Sequence, residues 1–227
     1  MKKILITGAS TGLGRYLHES FLGSTPLNRK KMAEHHNKHY NVIIHCAGSS
    51  DHKSQNIIKE AELLLENLLN ISHNIFVFIS SVDIYREPSS YYSVSKLNCE
   101  GMLKNHPQCL ILRASMILGP TMRDNHITKL QKNEKLGLAD VSTFNYVSMS
   151  KIKLALSMDK VLMKRGNFDF VSDNNLSIKK VKRMLHSSSA AGEYVYKSPL
   201  KFDNPIFNTF PQLGFKSEQA LKELVNA

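Results

Sequence analysis

The sequence of 227 residues has no tryptophan, only three cysteines and no apolar run long enough to cross a membrane. Met1 is followed by two lysines and a short apolar run, so no secretory signal is expected. Cys46, Cys99 and Cys109 lack the spacing of metal ligands or of a disulfide framework. We therefore expect free thiols in a globular protein of a reducing compartment, the cytoplasm, with no membrane partner.

Acidic residues are scarce. There are 19 of them against 30 lysines and arginines, which gives a formal net charge of +11. A basic protein can bind nucleic acid, but the basic residues are scattered, with small clusters only at 29–31 and 179–183. Since aromatic residues do not alternate with them, a cleft for a phosphate-bearing small molecule is favoured and no nucleic-acid partner is expected.

The segment from Arg29 to Tyr40 is polar and contains three histidines, His35, His36 and His39. Histidines are common metal ligands, yet neither a carboxylate cluster nor a cysteine cluster completes a site here. We therefore expect a solvated surface segment and no metal.

The N-terminal segment carries the strongest local pattern. A short apolar run at 4–6 precedes three glycines, Gly8, Gly12 and Gly14, and a helical pattern follows them directly. A buried strand that ends in a glycine turn and opens into a helix is typical of a dinucleotide-binding unit, because the backbone can approach a pyrophosphate at the helix N-terminus. The alternative is a glycine-rich turn that holds no ligand.

The first 113 residues alternate between strand and helix patterns. Strand patterns lie at 4–6, 41–48, 75–79 and 109–112, a further short strand could lie at 25–28, and helix patterns lie at 13–22, 54–71 and 93–105. This alternation predicts an α/β fold with a Rossmann-type, doubly wound parallel sheet. After Gly119 and Pro120 the character changes. We expect residues 1–120 to form a dinucleotide-binding domain and residues 121–227 a small substrate lobe interleaved with it.

The C-terminal part has less distinct patterns. Helices are predicted near 124–134, 149–164, 177–186 and 216–225, and strands near 144–147, 167–171 and 193–196.

Three residues in the middle of the chain could share a site. Tyr92 and Lys96 are four apart on a predicted helix, so they share a face. Ser81 follows the carboxyl end of a predicted strand, which is the edge where ligands bind to an open parallel sheet. The alternatives are a loop serine that caps backbone groups and a solvated helix face.

The sequence resembles the short-chain dehydrogenase/reductase superfamily, in particular its extended branch of nucleotide-sugar epimerases, dehydratases and reductases. The resemblance is carried by five segments in the same order, TGASTGLG (7–14), HCAG (45–48), ISSVDIY (79–85), YSVSK (92–96) and LRASMILGP (112–120). Softer matches extend it over nearly the whole chain.

The resemblance implies an acid–base site in which Tyr92 transfers a proton, Lys96 favours its phenolate, and Ser81 rather than Ser80 orients the substrate oxygen. It also implies a nicotinamide cofactor. The residues expected to bind it are Gly8, Ser10, Thr11, Gly12, Leu13, Gly14, Asn28, Arg29, Cys46, Ala47, Gly48 and Lys96.

The sequence departs from the family between Gly14 and Asn41, where only 26 residues intervene. That length suffices for one short strand and one crossover, so one strand should be missing from this edge of the sheet. Near the position where an acidic residue would hold the ribose of NAD lie Asn28 and Arg29, and arginine suits the 2′-phosphate of NADP. We therefore expect NADP, with NAD as the alternative.

Together these features predict an oxidoreductase that reduces, epimerises or dehydrates a nucleotide-activated sugar, and resemblance implies a homodimer. The alternative is a non-catalytic dinucleotide sensor or partner-binding protein on the same fold. Basic residues such as Arg123, Lys129 or Lys132 could contact the diphosphate of the substrate, but the sequence does not select among them.

Overall fold

The computed structural model describes residues 2–49 and 54–226. Its strands are β1 (Ile4–Thr7), β2 (Thr25–Leu27), β3 (His39–His45), β4 (Ser72–Ser81), β5 (Cys109–Ala114), β6 (Met116–Leu118), β7 (Thr143–Phe144), β8 (Tyr146–Ser148), β9 (Gly166–Phe170) and β10 (Leu176–Ser177). Its α-helices are α1 (Gly12–Ser20), α2 (Asn56–Leu69), α3 (Asp83–Arg86), α4 (Tyr91–Leu103), α5 (His126–Gln131), α6 (Met149–Ser157), α7 (Asp159–Leu162), α8 (Ile178–Met184), α9 (Ile206–Thr209) and α10 (Ser217–Val225). Shorter 3-10 helices span Arg29–His35 and Pro211–Leu213.

The central sheet has six strands in the order β2-β1-β3-β4-β5-β9, and every pairing in it is parallel. Two small sheets, β10-β7 and β6-β8, lie outside it. From β1 the chain adds β2 on one side, and it then adds β3, β4, β5 and β9 in turn on the other side. This reversal of strand order at β1 is the topology of a doubly wound sheet. The predicted fold class is confirmed.

The sheet is buried on both faces. Adjacent residues of one strand point into different clusters: Ile6 packs with α1 and α6 side chains, whereas Leu5 packs with α2 and α4 side chains. Ile44 and Ile43 divide in the same way on β3. Side chains alternate across a strand, so a continuous apolar run supplies both faces, as the sequence pattern predicted.

The edge beside β1 consists of β2 alone among the described residues. The chain reaches β3 through the 3-10 helix at Arg29–His35, and the expectation of a wholly solvated segment is wrong there. His35 is buried, and its Nδ1 lies 2.6 Å from the Tyr40 hydroxyl. In the described ranges, no cluster of three or more histidine, cysteine, aspartate or glutamate side chains could hold a metal ion.

The chain after Pro120 is intertwined with the sheet, because β9 pairs with β5. The predicted helix at 149–164 is divided into α6 and α7 at Met158, whose backbone is extended. The predicted strand at 193–196 forms only single bridges, for example from Tyr194 to Leu138, and so is not a continuous strand. The division into two domains stays a prediction.

On the outer surface, Leu63 of α2 and Leu97 of α4 are exposed. The homodimer that the resemblance implies along these helices stays a prediction. Across residues 2–49 and 54–226, none of the helices combines the length and apolarity needed to span a bilayer.

A buried histidine joins the ends of β1 and β3. The Thr7 hydroxyl oxygen accepts hydrogen bonds from the backbone amides of Cys46 and Ala47, at 3.1 and 3.0 Å. Its proton is then available to His45 Nδ1, at 2.7 Å. This arrangement requires neutral His45, and burial lowers the pKa of His45 from 6.5 to about 3.

We expect this histidine to make folding stability depend on pH. In the unfolded chain His45 takes up a proton below pH 6.5, whereas in the folded protein it stays neutral until about pH 3. The contribution of neutral His45 to the free energy of unfolding is therefore fully present above pH 6.5, and it is lost progressively as the pH falls from 6.5 towards 3. In urea unfolding at pH 7, 6, 5 and 4, the free energy of unfolding should fall less steeply with decreasing pH for His45→Asn than for the wild type. His36→Asn, at an exposed position, serves as the control, and an identical slope in all three proteins would refute the assignment.

Candidate active site

A cavity of about 440 Å³ lies at the carboxyl ends of the central strands. It contains residues of the glycine loop, of the β3 and β4 ends and of the first turns of α4. The sequence-predicted residues that line it are Thr11, Gly12, Leu13, Gly14, Cys46, Gly48, Ser81, Tyr92 and Lys96. The structure thus brings together at one edge four separate segments of the sequence.

The glycine loop is shaped by its glycines. Gly8 and Gly12 have φ of +69° and +60°, a region that other L-residues seldom adopt. A Cβ at Gly14 would lie 2.4 Å from the Gly8 carbonyl oxygen, so only glycine lets the helix approach the strand this closely. A Cβ at Gly12 would meet no atom within 4 Å, which shows open space beside the loop.

The N-terminus of α1 faces this space. Thr11 is its N-cap residue and makes no side-chain hydrogen bond to the helix. The side chain of Thr11 therefore leaves the first-turn amides of Leu13 and Gly14 uncapped, and both residues line the cavity. Amides at a helix N-terminus favour an anionic acceptor such as a phosphate.

Tyr92 and Lys96 both lie on α4, which begins at Tyr91 because the Ser90 side chain accepts a hydrogen bond from the Ser93 amide. The helix therefore begins two residues earlier than predicted and includes both side chains. Lys96 Nζ donates a hydrogen bond to the Ile79 carbonyl at 2.9 Å and lies 5.8 Å from the centroid of the Tyr92 ring. The preceding residue, Tyr91, is exposed and does not line the cavity.

The electrostatics of Tyr92 differ from the expectation. Burial raises the pKa of Tyr92 to about 12; a hydrogen bond with Ser81 and the charge of Arg123 act in the opposite direction, and Asp83 adds to the rise. The expected lowering by Lys96 is not found, because Lys96 donates to a backbone carbonyl and burial lowers its own pKa. The phenol is therefore protonated at neutral pH.

The choice between Ser80 and Ser81 is clarified by their partners. Ser80 Oγ donates to Glu100 Oε1 at 2.6 Å. Ser81 Oγ accepts from the Asp83 amide at 3.2 Å and is hydrogen-bonded to Tyr92. Of these two serines, Ser81 is the one hydrogen-bonded to the tyrosine.

A buried ionic network supports this edge of the sheet, and sequence reasoning missed it. The guanidinium of Arg113 on β5 donates to both oxygens of Glu100 on α4, to Oε1 at 3.1 Å and to Oε2 at 2.7 Å. It also donates to the Tyr85 hydroxyl at 2.6 Å, which in turn donates to Asp169 on β9 at 2.9 Å. The signal that could have revealed it is Arg113, a charged residue that directly follows the apolar run at 109–112.

The outer wall of the cavity comes from the C-terminal part of the chain and was also missed. The Tyr196 hydroxyl donates to Asp83 at 2.7 Å, and its ring stacks on Phe144 at 4.2 Å between centroids. The Arg86 guanidinium lies over the other face of that ring at 4.4 Å. Tyr196 is thus fixed on both faces and at its hydroxyl.

Five of the residues predicted to bind the cofactor lie outside the lining of this cavity as the described residues define it: Gly8, Ser10, Asn28, Arg29 and Ala47. Asn28 caps the 3-10 helix by accepting from the Lys30 amide at 3.0 Å. Arg29 is exposed at the end of β2 and lies 3.5 Å from Glu60. Both stand at the sheet edge beside the glycine loop rather than in the cavity.

Ser115 offers a test of hydrogen bonding in the lining. Its hydroxyl is buried without a hydrogen-bond partner among the described residues, whereas the Ser80 hydroxyl is paired with a carboxylate. We expect Ser115→Ala to raise the free energy of unfolding by about 1 kcal/mol, because an unpaired buried hydroxyl is destabilising. Ser80→Ala should lower it by about 2 kcal/mol. Urea unfolding of both variants checks this, and equal losses would refute it.

No protein-family model matches this sequence, and no curated protein matches it. The fold is similar to that of solved sugar-nucleotide enzymes. UDP-N-acetylglucosamine 4-epimerase from Bacillus cereus has a TM-score of 0.77 and 18% identity, with 99% of this chain and 95% of that chain covered. An NAD-dependent NDP-hexosamine 5,6-dehydratase involved in tunicamycin biosynthesis has a TM-score of 0.78 and 15% identity, with 100% and 97% covered.

dTDP-4-dehydrorhamnose reductase from Bacillus anthracis, solved in complex with NADP, has a TM-score of 0.74 and 17% identity, with 99% of this chain and 98% of that chain covered. At these identities the likeness establishes a shared fold. The resemblance drawn from the sequence motifs is confirmed at that level.

Proposed function

We propose that this chain is an NADP-dependent oxidoreductase that reduces a keto group of a nucleotide-activated sugar. The observation that carries the proposal is that Ser81, Tyr92 and Lys96 line one cavity with the glycine loop. A site of this kind needs a proton donor and a phosphate-binding loop that one bound dinucleotide can contact at the same time. Both line this cavity. The neighbours in fold, named as epimerases, dehydratases and reductases of such sugars, support the substrate class.

The described residues fit a nicotinamide dinucleotide. Open space beside Gly12 and the uncapped amides of Leu13 and Gly14 suit a pyrophosphate. Lys96 would hold the nicotinamide ribose, and its place next to Gly48 is consistent with that role, since a Cβ on Gly48 would lie 3.5 Å from Lys96 Nζ. When bound, the nicotinamide would supply the hydride for the reaction.

Tyr92 is placed to act as the proton donor of a reduction. With a pKa of about 12, Tyr92 carries its proton at neutral pH and can donate it to an oxygen on which negative charge develops. Ser81, hydrogen-bonded to Tyr92, would orient that oxygen. The same hydrogen bond lowers the pKa of Tyr92 and would stabilise the phenolate left after transfer.

The acidic residue next to the site gives less support to a dehydratase. Asp83, two residues after Ser81 in the sequence, is a carboxylate in the lining of the cavity. It accepts a hydrogen bond from Tyr196 and lies 3.6 Å from Arg86. Both contacts involve Asp83 Oδ1, so neighbouring side chains already occupy this carboxylate oxygen. We therefore rank reduction above dehydration.

The preference for NADP rests on Arg29. It is the first residue of the 3-10 helix that follows β2, the strand paired with β1 beside the glycine loop, where the ribose of the adenosine half would be bound. Its guanidinium is exposed and pairs only loosely with Glu60. Arginine binds a phosphate group with two parallel hydrogen bonds, which suits the 2′-phosphate.

Two titrations and one assay test the proposal. Isothermal titration should show tighter binding of NADPH than of NADH, and the absorbance of NADPH should fall when UDP- or dTDP-linked 4-keto-hexoses are added. Tighter binding of NADH would reject the cofactor assignment. Binding of NADPH without turnover of either keto-sugar would favour the alternative, a dinucleotide sensor, which the short sheet edge beside β1 also suits.

A further inference from the structure

The segment after β6 folds back onto the glycine loop. The Gly12 amide donates to the Thr121 carbonyl at 2.8 Å, and the Thr121 hydroxyl donates to the Gly12 carbonyl at 2.7 Å. Two residues later, Arg123 Nε donates to the Thr11 hydroxyl at 3.3 Å. This segment therefore lies directly at the opening of the loop that faces the cavity.

One consequence concerns the donors that the loop can offer. Since the Gly12 amide is bonded to Thr121, it is not available to a phosphate in this arrangement, and the amides of Leu13 and Gly14 remain. The Arg123 guanidinium stands beside them and lines the same cavity. It can supply a hydrogen-bond donor to a phosphate in place of the Gly12 amide, which is bonded to Thr121.

The charge of Arg123 is also uncompensated locally. Within the described ranges, no carboxylate lies within ion-pair distance of it, and its neighbour in sequence, Asp124, faces Lys132 at 3.6 Å. Lys129 and Lys132 do not line the cavity, so the structure separates Arg123 from the other two basic candidates of this segment. Its charge reaches the reacting end of the cavity, where it acts on Tyr92.

We propose that Arg123 is a phosphate-binding residue of this cavity, with Nε held by Thr11 and its terminal nitrogens directed to a diphosphate group. The inference deepens the proposed function, since both a dinucleotide and a nucleotide sugar carry that group. A guanidinium binds phosphate oxygens in pairs and keeps its charge at every accessible pH. Contact with the glycine loop favours the pyrophosphate of the dinucleotide.

The test uses isothermal titration of the full chain with inorganic pyrophosphate, NADPH and UDP-glucose. Arg123→Gln should weaken binding of pyrophosphate at least tenfold, and Arg123→Lys, which keeps the charge but not the fork, should weaken it less. Lys129→Gln removes one charge from the same segment outside the cavity and should change binding less than twofold. Unfolding temperatures confirm that each variant is folded.

The two nucleotides identify the source of the diphosphate. A loss confined to NADPH assigns Arg123 to the dinucleotide, and a loss confined to UDP-glucose assigns it to the sugar nucleotide. If pyrophosphate binding depends on Arg123 while the wild type binds neither nucleotide, the proposed function fails and this inference stands. If the wild type does not bind pyrophosphate, or binds it equally well after Arg123→Gln, the inference is overturned.

Discussion

Replacing Tyr92 by phenylalanine should lower kcat of keto-sugar reduction by about 10²- to 10⁴-fold, the usual contribution of a positioned proton donor. The substitution removes only the hydroxyl, which is hydrogen-bonded to Ser81, and leaves the ring beside Lys96 in place. The Kd for NADPH should therefore change little. Steady-state rates and isothermal titration of the same preparation separate the two effects.

The chain offers a matched control in the preceding residue. Tyr91 lies on the same helix, is exposed and does not line the cavity, so Tyr91→Phe should keep the wild-type kcat. A fall of less than tenfold in Tyr92→Phe, or an equal fall in both variants, would show that the phenol does not transfer the proton.

Replacing Arg113 by methionine should lower the free energy of unfolding by about 3–5 kcal/mol, the cost of leaving one partner of a buried ion pair alone. Glu100 has only 6% of its side chain exposed and would lose its hydrogen bonds with the guanidinium. Tyr85 would lose a hydrogen bond as well. Urea unfolding at pH 7 measures the loss.

The double variant Arg113→Met with Glu100→Gln provides the second arm. It removes the unpaired charge, so its loss should be smaller than the sum of the two single losses. Arg15→Met breaks an exposed pair with Glu19, at 2.7 Å, and should cost less than about 1 kcal/mol. Additive losses at Arg113 and Glu100 would contradict the network.

The parts of the fold that depend on local pattern could be predicted from sequence. The apolar run at 4–6 is buried on both faces because neighbouring side chains of a strand point to opposite sides. Tyr92 and Lys96 share a cavity because residues four apart lie on one face of a helix. These relations require only spacing, and they positioned the glycine loop and the phenol correctly.

The parts that depend on contacts between distant segments could not be predicted in this way. The bond of Thr121 to Gly12 joins residues 109 positions apart, and Arg113 meets Glu100 only because β5 packs beneath α4. The pKa of Tyr92 is raised because burial outweighs the hydrogen bond with Ser81 and the charge of Arg123, and burial depends on the whole fold. Periodicity carries no information about such pairings.

The central claim is that the proton donor and the glycine loop serve one ligand, and a crystal structure of the complex with NADPH tests it most directly. The account predicts the pyrophosphate at the first turn of α1 and the nicotinamide end beside Tyr92 and Lys96. A dinucleotide bound outside this cavity, or bound with the Tyr92 hydroxyl turned away from the nicotinamide, would contradict it.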